Sequence, residues 1–413
     1  MPLIYIFKLS FLNLFRNIRR SIITLLAITI GSIALVTFGG YTVKMYEGLG
    51  ESFVSSGLGH LQIFKEGYDK NHATDPEGYL LTVEETEQIK EVLDELPHTA
   101  LYTMRLSFYG LLSNGYHSIG VLAEGVEPEL DLLINSFINI TEGDSLLGID
   151  AEETNIGRLL AKNLNTNIGD VQTLLASTVD GLPNAIDTKI TGYLNHGFTA
   201  LDERVLKMPI TQAQLLLNTN KVTNIVVQLE DDMFTTSYIV ALKEKLAELG
   251  LVTEIVAWTE NSQAEFYHQV VNLYDNIFTV VQIIVLMIVF LNIVNTMSMT
   301  IMERTQEIGT IRAVGTKRVD IISLFMMEAI WLGLIGSLIG LSMGYGISEA
   351  INAMEIMMDP PPSMSKEIQL NIAADFSIFL KSLVLNVTAV VLSSLFSAFK
   401  ASRINIVDAL RYV

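Results

Sequence analysis

Two charge-free runs, Asn276–Met302 and Ala329–Ser348, bracket a short charged island, Glu303–Asp320. Each run is long enough to carry an α-helix across about 30 Å of hydrocarbon, which takes roughly 20 residues. A chain with this pattern must therefore place a short, positively biased segment at a membrane surface between two spans. Such a segment is well placed to receive force from a soluble partner.

The same criterion locates two further spans. One covers residues 21–47, uncharged from Ile22 through Val43, and another covers 376–399, where Lys381 is the single interior charge and can snorkel to the interface. With 413 residues and a mean hydropathy of +0.41, the chain reads as an integral membrane protein with a large polar insertion. The expected fold class is an α-helical membrane protein with four transmembrane helices and a mixed α/β extracytoplasmic domain between the first and second. The expected boundaries are a cytosolic amphipathic helix at 1–20, spans at 21–47, 269–302, 321–350 and 376–399, and the domain at 48–268. The island occupies 303–320, an outer loop 351–375 and a cytosolic tail 400–413.

Orientation follows from the basic residues near the spans. The segments 1–20, 301–320 and 400–413 carry a net charge of +7, which leaves −26 on the remainder of a chain whose total is −19. Basic flanks belong in the cytosol, so both termini are expected there and the acidic domain outside. No nucleic-acid partner is expected. The run after Arg16–Arg20 is too long for a signal-peptide core and lacks a small-x-small cleavage site, so it is expected to stay as an anchor. Before it, Leu3, Phe7, Phe11, Leu14 and Ile18 recur at helical spacing, as in a helix lying on the leaflet. The chain has no cysteine, so its domain must hold by packing.

Within that domain, helices are predicted at Val83–Glu95, Ile210–Leu217 and Ser237–Leu249, the last stopped by Gly250. Strands are predicted at His60–Phe64, Ser118–Glu124, Lys189–Tyr193 and Asn224–Glu230, with a strand–helix–strand unit over Val222–Ala257. Residues 48–125 and 220–268 are expected to pack together, with about 130–215 as an outer lobe. Asp359-Pro-Pro-Pro362, followed by Ser363–Lys366, reads as a stiff polyproline-type exit from the third span.

Little in the chain suggests catalysis. Gly315-Thr-Lys317 resembles the end of a phosphate loop, but Gly309 is misplaced and Arg318 stands where Mg²⁺ needs Ser or Thr. Any ATP and Mg²⁺ would then sit on a partner, and no cofactor is expected in this chain. The histidines (His60, His72, His98, His117, His196, His268) lack metal-ligand spacing, and no serine sits in a G-x-S-x-G setting. Gly336, Gly340 and Gly344 share one face of the third span; this reads as static packing against Ser393, Ser394, Ser397 and Ala398 of the fourth, rather than as a sliding interface. Glu328 reads as an interfacial acid beside Arg318 or Lys317 rather than as a link to the island. Met297, Met299 and Met302 suit either an adaptable surface or lipid. On a helical reading of the island, Arg304, Ile308, Ile311 and Gly315 share a face and Glu303 and Glu307 lie one turn apart. That helix would suit insertion into a groove on a cytosolic protein, and a solvated loop fits the charges equally.

Asn295-Thr-Met-Ser-Met-Thr-Ile-Met-Glu-Arg-Thr-Gln-Glu-Ile-Gly-Thr-Ile-Arg-Ala-Val-Gly315 resembles the signature of MacB/FtsX-type ABC transporter permeases. Phe15-Arg-Asn-Ile-Arg-Arg20, Glu328 with its Gly-rich helix, and Ile406-Val-Asp-Ala-Leu-Arg411 are similar to other family elements, although Ile406 stands where proline is common. Gly59-His-Leu-Gln-Ile63, residues 192–202, Ile210–Leu217 and Val222-Thr-Asn-Ile look like the lipoprotein-releasing LolC/LolE branch. The resemblance implies a permease in the bacterial inner membrane, paired with an identical or related permease and bound to a cytosolic ABC ATPase dimer. It implies that the island is a coupling helix acting through Arg304, Glu307, Ile308, Gly309, Arg312 and Gly315. The implied cargo is lipoprotein extracted from the outer leaflet and passed to a periplasmic carrier; amphiphile or peptide efflux and mechanical signalling to a cell-wall enzyme are the alternatives. A membrane-anchored sensor without an ATPase is the reading from another class.

Overall fold

The computed structural model describes residues 3–16, 18–72, 75–135, 138–149, 151–197, 199–261, 264–359 and 368–402. The triple-proline exit, Ser363–Lys366 and the tail motif at Ile406–Arg411 lie outside them. The chain divides into two compact units, one of residues 1–47, 269–357 and 369–413, the other of 48–268 and 358–368.

The first unit is helical. Four of its helices, Ile18–Phe53, Glu265–Glu303, Arg318–Asn352 and Phe376–Ser402, are long and apolar enough to cross a membrane. As continuous α-helices they can satisfy their backbone groups within themselves, which the hydrocarbon requires. We refer to them as the first to fourth spans. Ahead of them lies the N-terminal helix Leu3–Arg16.

The glycine stripe of the third span packs against the first span, which corrects the expectation of a fourth-span partner. A Cβ on Gly340 would lie 2.5 Å from Ser32 Cβ and 2.7 Å from the Thr29 carbonyl oxygen; one on Gly336 would meet Ile28 Cβ at 2.9 Å, and one on Gly344 Val36 Cβ at 3.3 Å. Ile28, Ser32 and Val36 follow the same four-residue spacing, so the two rows mesh. The approach is close enough for the Thr29 hydroxyl to donate to the Gly336 carbonyl at 3.2 Å. It is Gly333 that faces the fourth span, at Val390. The small residues of the fourth span lie elsewhere: Ser394 donates to the Phe325 carbonyl at 3.2 Å, and Ala398 joins the cluster of Ile301, Ile308, Ile321 and Phe325. Asn386 ties the fourth span to the first by donating to Ser32 Oγ at 2.8 Å.

The second unit holds a ten-stranded sheet: β1 Leu61–Lys65, β2 Thr99–Ser113, β3 Ser118–Val126, β4 Asn139–Gly143, β5 Glu153–Gly157, β6 Val171–Ser177, β7 Pro183–Asn195, β8 Val205–Pro209, β9 Asn224–Leu229 and β10 Thr253–Ala257. The order is β10-β1-β9-β2-β3-β8-β5-β7-β4, with β6 pairing β2 and β7. Helix Val83–Glu95 starts at a capping box between Thr82 and Glu85. Helix Thr235–Glu248 stops where Gly250 takes a φ of +74°, and Leu251 N donates back to the Leu246 carbonyl. The strand–helix–strand unit is split, because β1 lies between β9 and β10 and runs antiparallel to both.

The expected separate outer lobe is replaced by one continuous sheet and one core, which extends from Leu61 and Ile255 to Leu160 and Ile190. The reason is the length of β2. Its first half pairs with β9 and its end with β6, while β3 pairs in parallel with β8. Across this junction sits a buried charge network. Asp131, on helix Pro128–Ile134, accepts from Arg105 of β2 at 3.0 Å and from Lys207 of β8 at 2.8 Å. Glu124 of β3 lies 4.0 Å from both cations. Arg105 also donates to the Gly57 carbonyl at 2.6 Å, where the chain turns at a φ of +107°.

Burial alone would push the Asp131 carboxyl up, but Lys207 and Arg105 outweigh it and hold it below the usual range. A depressed carboxyl contributes stability above its unfolded pKa, about 3.9, and loses it as pH falls through the folded value. His60 and His196 are pushed down, chiefly by burial, so their contribution starts to fade below about pH 6.5. Thermal unfolding across pH should therefore show stability falling in two stages, near pH 6 and again below about 4. Asp131→Asn should cost about 3–5 kcal/mol at neutral pH and flatten the lower stage. In the helical unit, Gly340→Val should cost about 1–3 kcal/mol by overpacking. Gly346→Ala, with nothing within 4 Å of its Cβ, should leave the melting temperature unchanged.

Candidate ATPase-coupling site

The charged island is a helix. The second span ends at Glu303, the backbone breaks at Arg304 (φ −96°, ψ 9°), and a connecting helix resumes over Thr305–Ala313. Gly315, at a φ of +102°, turns the chain toward the third span, and its N–H donates to the Arg312 carbonyl at 3.0 Å. A left-handed residue here is readily supplied by glycine.

The connecting helix has a buried and an open face. Arg304, Thr305, Ile308 and Gly309 are buried; Gln306, Glu307, Thr310 and Ala313 are exposed, as is Val314 just beyond the helix. The single face expected for Arg304, Ile308, Ile311 and Gly315 is thus divided. The first two point inward, Ile311 is 41% exposed, and Gly315 falls past the end of a helix only nine residues long. Arg312 is partly exposed. Met297 is buried, and Met299 and Met302 are exposed.

Three ion pairs fix this element. Glu303 pairs with Arg20 and Glu307 with Arg16. The third pair corrects the reading of Glu328. It is buried, and its partner is Arg304 at 3.4 Å rather than Arg318 or Lys317. Asn13 of the N-terminal helix adds a side-chain hydrogen bond to Glu328. Phe7 and Phe11 hold the same helix to the third span through Trp331, with ring centroids 4.7 and 5.0 Å away. In the sequence, Arg16 and Arg20 read as topogenic charge and as part of a family-like element, without partners. The missed signal was their spacing: arginines four apart match glutamates four apart in an antiparallel ladder. A cavity of about 180 Å³ opens between the N-terminal helix, the connecting helix and the start of the third span.

The family description FtsX-like permease C-terminal matches residues 279–406, and MacB-like periplasmic core domain matches residues 21–238, more than half of the chain. The chain belongs to the MacB/FtsX-type ABC transporter permeases. This permease is 24% identical over 416 residues to the uncharacterized ABC transporter permease MJ1507 of Methanocaldococcus jannaschii, with 98% of this chain and 97% of that protein aligned. It is 33% identical over 124 residues to the ABC transporter permease YtrF of Bacillus subtilis, a match to 29% of this chain that spans 28% of YtrF. The lipoprotein-releasing system transmembrane protein LolE of Haemophilus influenzae is 23% identical over 281 residues, covering 66% of this chain and 65% of LolE.

The permease's buried pair should behave unlike its surface pairs. Glu328→Ala leaves the Arg304 charge buried and should cost about 3–5 kcal/mol, and Arg304→Met combined with Glu328→Leu should recover most of that loss. Glu307→Ala should cost no more than about 1 kcal/mol. Melting temperatures in detergent measure all three.

Proposed function

We propose that this permease couples ATP hydrolysis in a separate cytosolic ATPase dimer to movement of its extracytoplasmic domain, with the connecting helix as the point of engagement. The observation that carries the reading is the two-faced connecting helix. Its inner face and three ion pairs tie it to the N-terminal segment and the third span, and its outer face, Gln306, Thr310, Ala313 and Val314, is open. A short helix presented this way suits a groove on a soluble protein. Arg304, Ile308 and Gly309 then act from behind, by holding the helix to its supports, and Glu307, Arg312 and Gly315 shape its ends and rim. ATP and Mg²⁺ belong to the partner, and both termini face the cytosol by the positive-inside rule.

A second permease subunit, identical or related, completes the transporter in this reading. The first and second spans offer apolar faces for it or for lipid, with Ile283, Met287, Ile288 and Leu291 each more than half exposed. The cargo we favour is lipoprotein, or a similar lipidated molecule, drawn from the outer leaflet of the inner membrane and released to a periplasmic carrier. The extended similarity to LolE supports it. Efflux of amphiphiles or peptides is the competing reading, favoured by the MacB-like periplasmic core.

Purification from native membranes in mild detergent, followed by mass spectrometry, tests both levels. An ATPase subunit together with acylated lipoproteins is the expected result. An ATPase without lipoprotein shifts the cargo to the efflux reading, and no ATPase at all overturns the coupling proposal. In the purified complex, Thr310→Trp should lower permease-stimulated ATP turnover by more than about tenfold with the melting temperature of the permease unchanged.

A further inference from the structure

The cavity behind the connecting helix combines two properties that together specify a ligand. Its walls are largely apolar, from Leu9, Ile308, Ile321, Leu324 and Phe325. One wall also carries Arg304, which is 5% exposed. Arg304 spends Nη1 on Glu328, at 3.4 Å, while its Nε and Nη2 have no hydrogen-bond partner among the described residues. Buried N–H groups of a guanidinium are costly to leave without an acceptor. A single water needs roughly 10–15 Å³ of such space, and this cavity offers about 180 Å³. Several waters would fit, but mostly apolar walls offer them few partners, so an apolar body carrying one acceptor suits the space better.

Charge narrows the choice. Arg304 is balanced by Glu328 and Arg16 by Glu307, and Asp320 adds an acid to the lining. With no excess positive charge, the site has little to hold inorganic phosphate or a nucleotide. A neutral carbonyl is the better acceptor. Trp331, gripped by Phe7 and Phe11, lies one turn beyond Glu328, and aromatic clusters of this kind favour the interfacial depth where lipid ester groups reside.

We propose that this cavity binds one glycerophospholipid, with an acyl chain against Leu9, Leu324 and Phe325 and an ester carbonyl beside Arg304. That the lipid comes from the cytosolic leaflet rests on the orientation proposed above; the binding itself does not. The lipid would lie against both the connecting helix and the third span, so membrane composition would reach the element that receives the ATPase.

Native mass spectrometry of the full chain, titrated with phosphatidylethanolamine and phosphatidylglycerol, tests this. One tightly retained lipid is expected, weakened at least tenfold by Leu324→Trp, which fills the cavity, and unchanged by Ile283→Trp on the exposed face of the second span. The two lipids should differ by less than about threefold, because the site carries no net positive charge. Equal retention by wild type and Leu324→Trp overturns the proposal, as does a preference of more than tenfold for phosphatidylglycerol that salt abolishes. A measurement on the unaltered protein guards against misfolding of the variant. A lipid with a photoreactive acyl chain should label peptides from residues 304–325; label confined to the outward face of the second span sinks the idea. So does a photoreactive side chain at position 324 that captures the ATPase instead of lipid in membranes holding the whole complex. Failure of the transporter reading would show separately, as absence of the ATPase with lipid retention intact.

Discussion

An arginine at the end of a membrane span can reach toward the headgroups or find a counter-ion. Arg304 takes the second course. It sits where the second span breaks, and burial leaves its charge dependent on Glu328 of the third span. Removing either partner strands the other in a low-dielectric setting, so the two helices must keep their register at this point. Close by in the chain, Ile301, Ile308, Ile321, Phe325 and Ala398 form one apolar cluster contributed by the second span, the connecting helix, the third span and the fourth. The placement of the connecting helix follows from that cluster together with the buried ion pair.

The extracytoplasmic domain uses a related solution. The junction between β3 and β8 joins segments of the chain separated by about eighty residues, and parallel pairing supplies no hairpin to hold it. Asp131 spans the junction by accepting from Arg105 on one side and Lys207 on the other. With Glu124 nearby, the network holds two acids and two bases, so its charge is balanced inside the core. Apolar packing surrounds it without fixing which strand must lie beside which; the charges supply that specificity.

Much of this was legible in the sequence. The four spans follow from uncharged runs, and Val83–Glu95 and Ile210–Leu217 have the bounds that amphipathic spacing predicts. Period and charge are local signals, and each reports an element. Partners are long-range, and there the sequence reading went astray. Gly336, Gly340 and Gly344 announced a close helix approach without saying to which helix, and the serines of the fourth span were only the more conspicuous match. Glu328 looked interfacial because residue counting measures depth along a helix and not the side chain opposite. The two-lobe expectation was half right: β1, β2, β3, β9 and β10 do lie together, but the outer strands continue the same sheet, because fifteen residues of β2 carry no mark showing that their halves pair with different strands. At the site, the island's helical face was partly right: Arg304 and Ile308 do turn inward, but the break at Arg304 and the turn at Gly315 end the helix too soon for one face to include all four residues.

The three ion pairs of the connecting helix are unequal, and the inequality gives the site a direction. Glu303–Arg20 and Glu307–Arg16 are open to solvent, with half of the Arg16 and Glu307 side chains exposed. Pairs of this kind contribute about 0–1 kcal/mol each and weaken with salt. Breaking the buried pair costs several times more. The N-terminal segment, though also held by Phe7, Phe11 and Asn13, therefore yields at its arginines before the third span yields at Glu328. In the coupling we propose, a push on the open face of the connecting helix would be delivered to the third span first. From there the glycine stripe offers the first span almost no slack, since even a methyl group on Gly340 would collide with Ser32. Under that proposal a chain of close contacts would carry displacement as rigid movement of helices, with no flexible element required between the connecting helix and the first span.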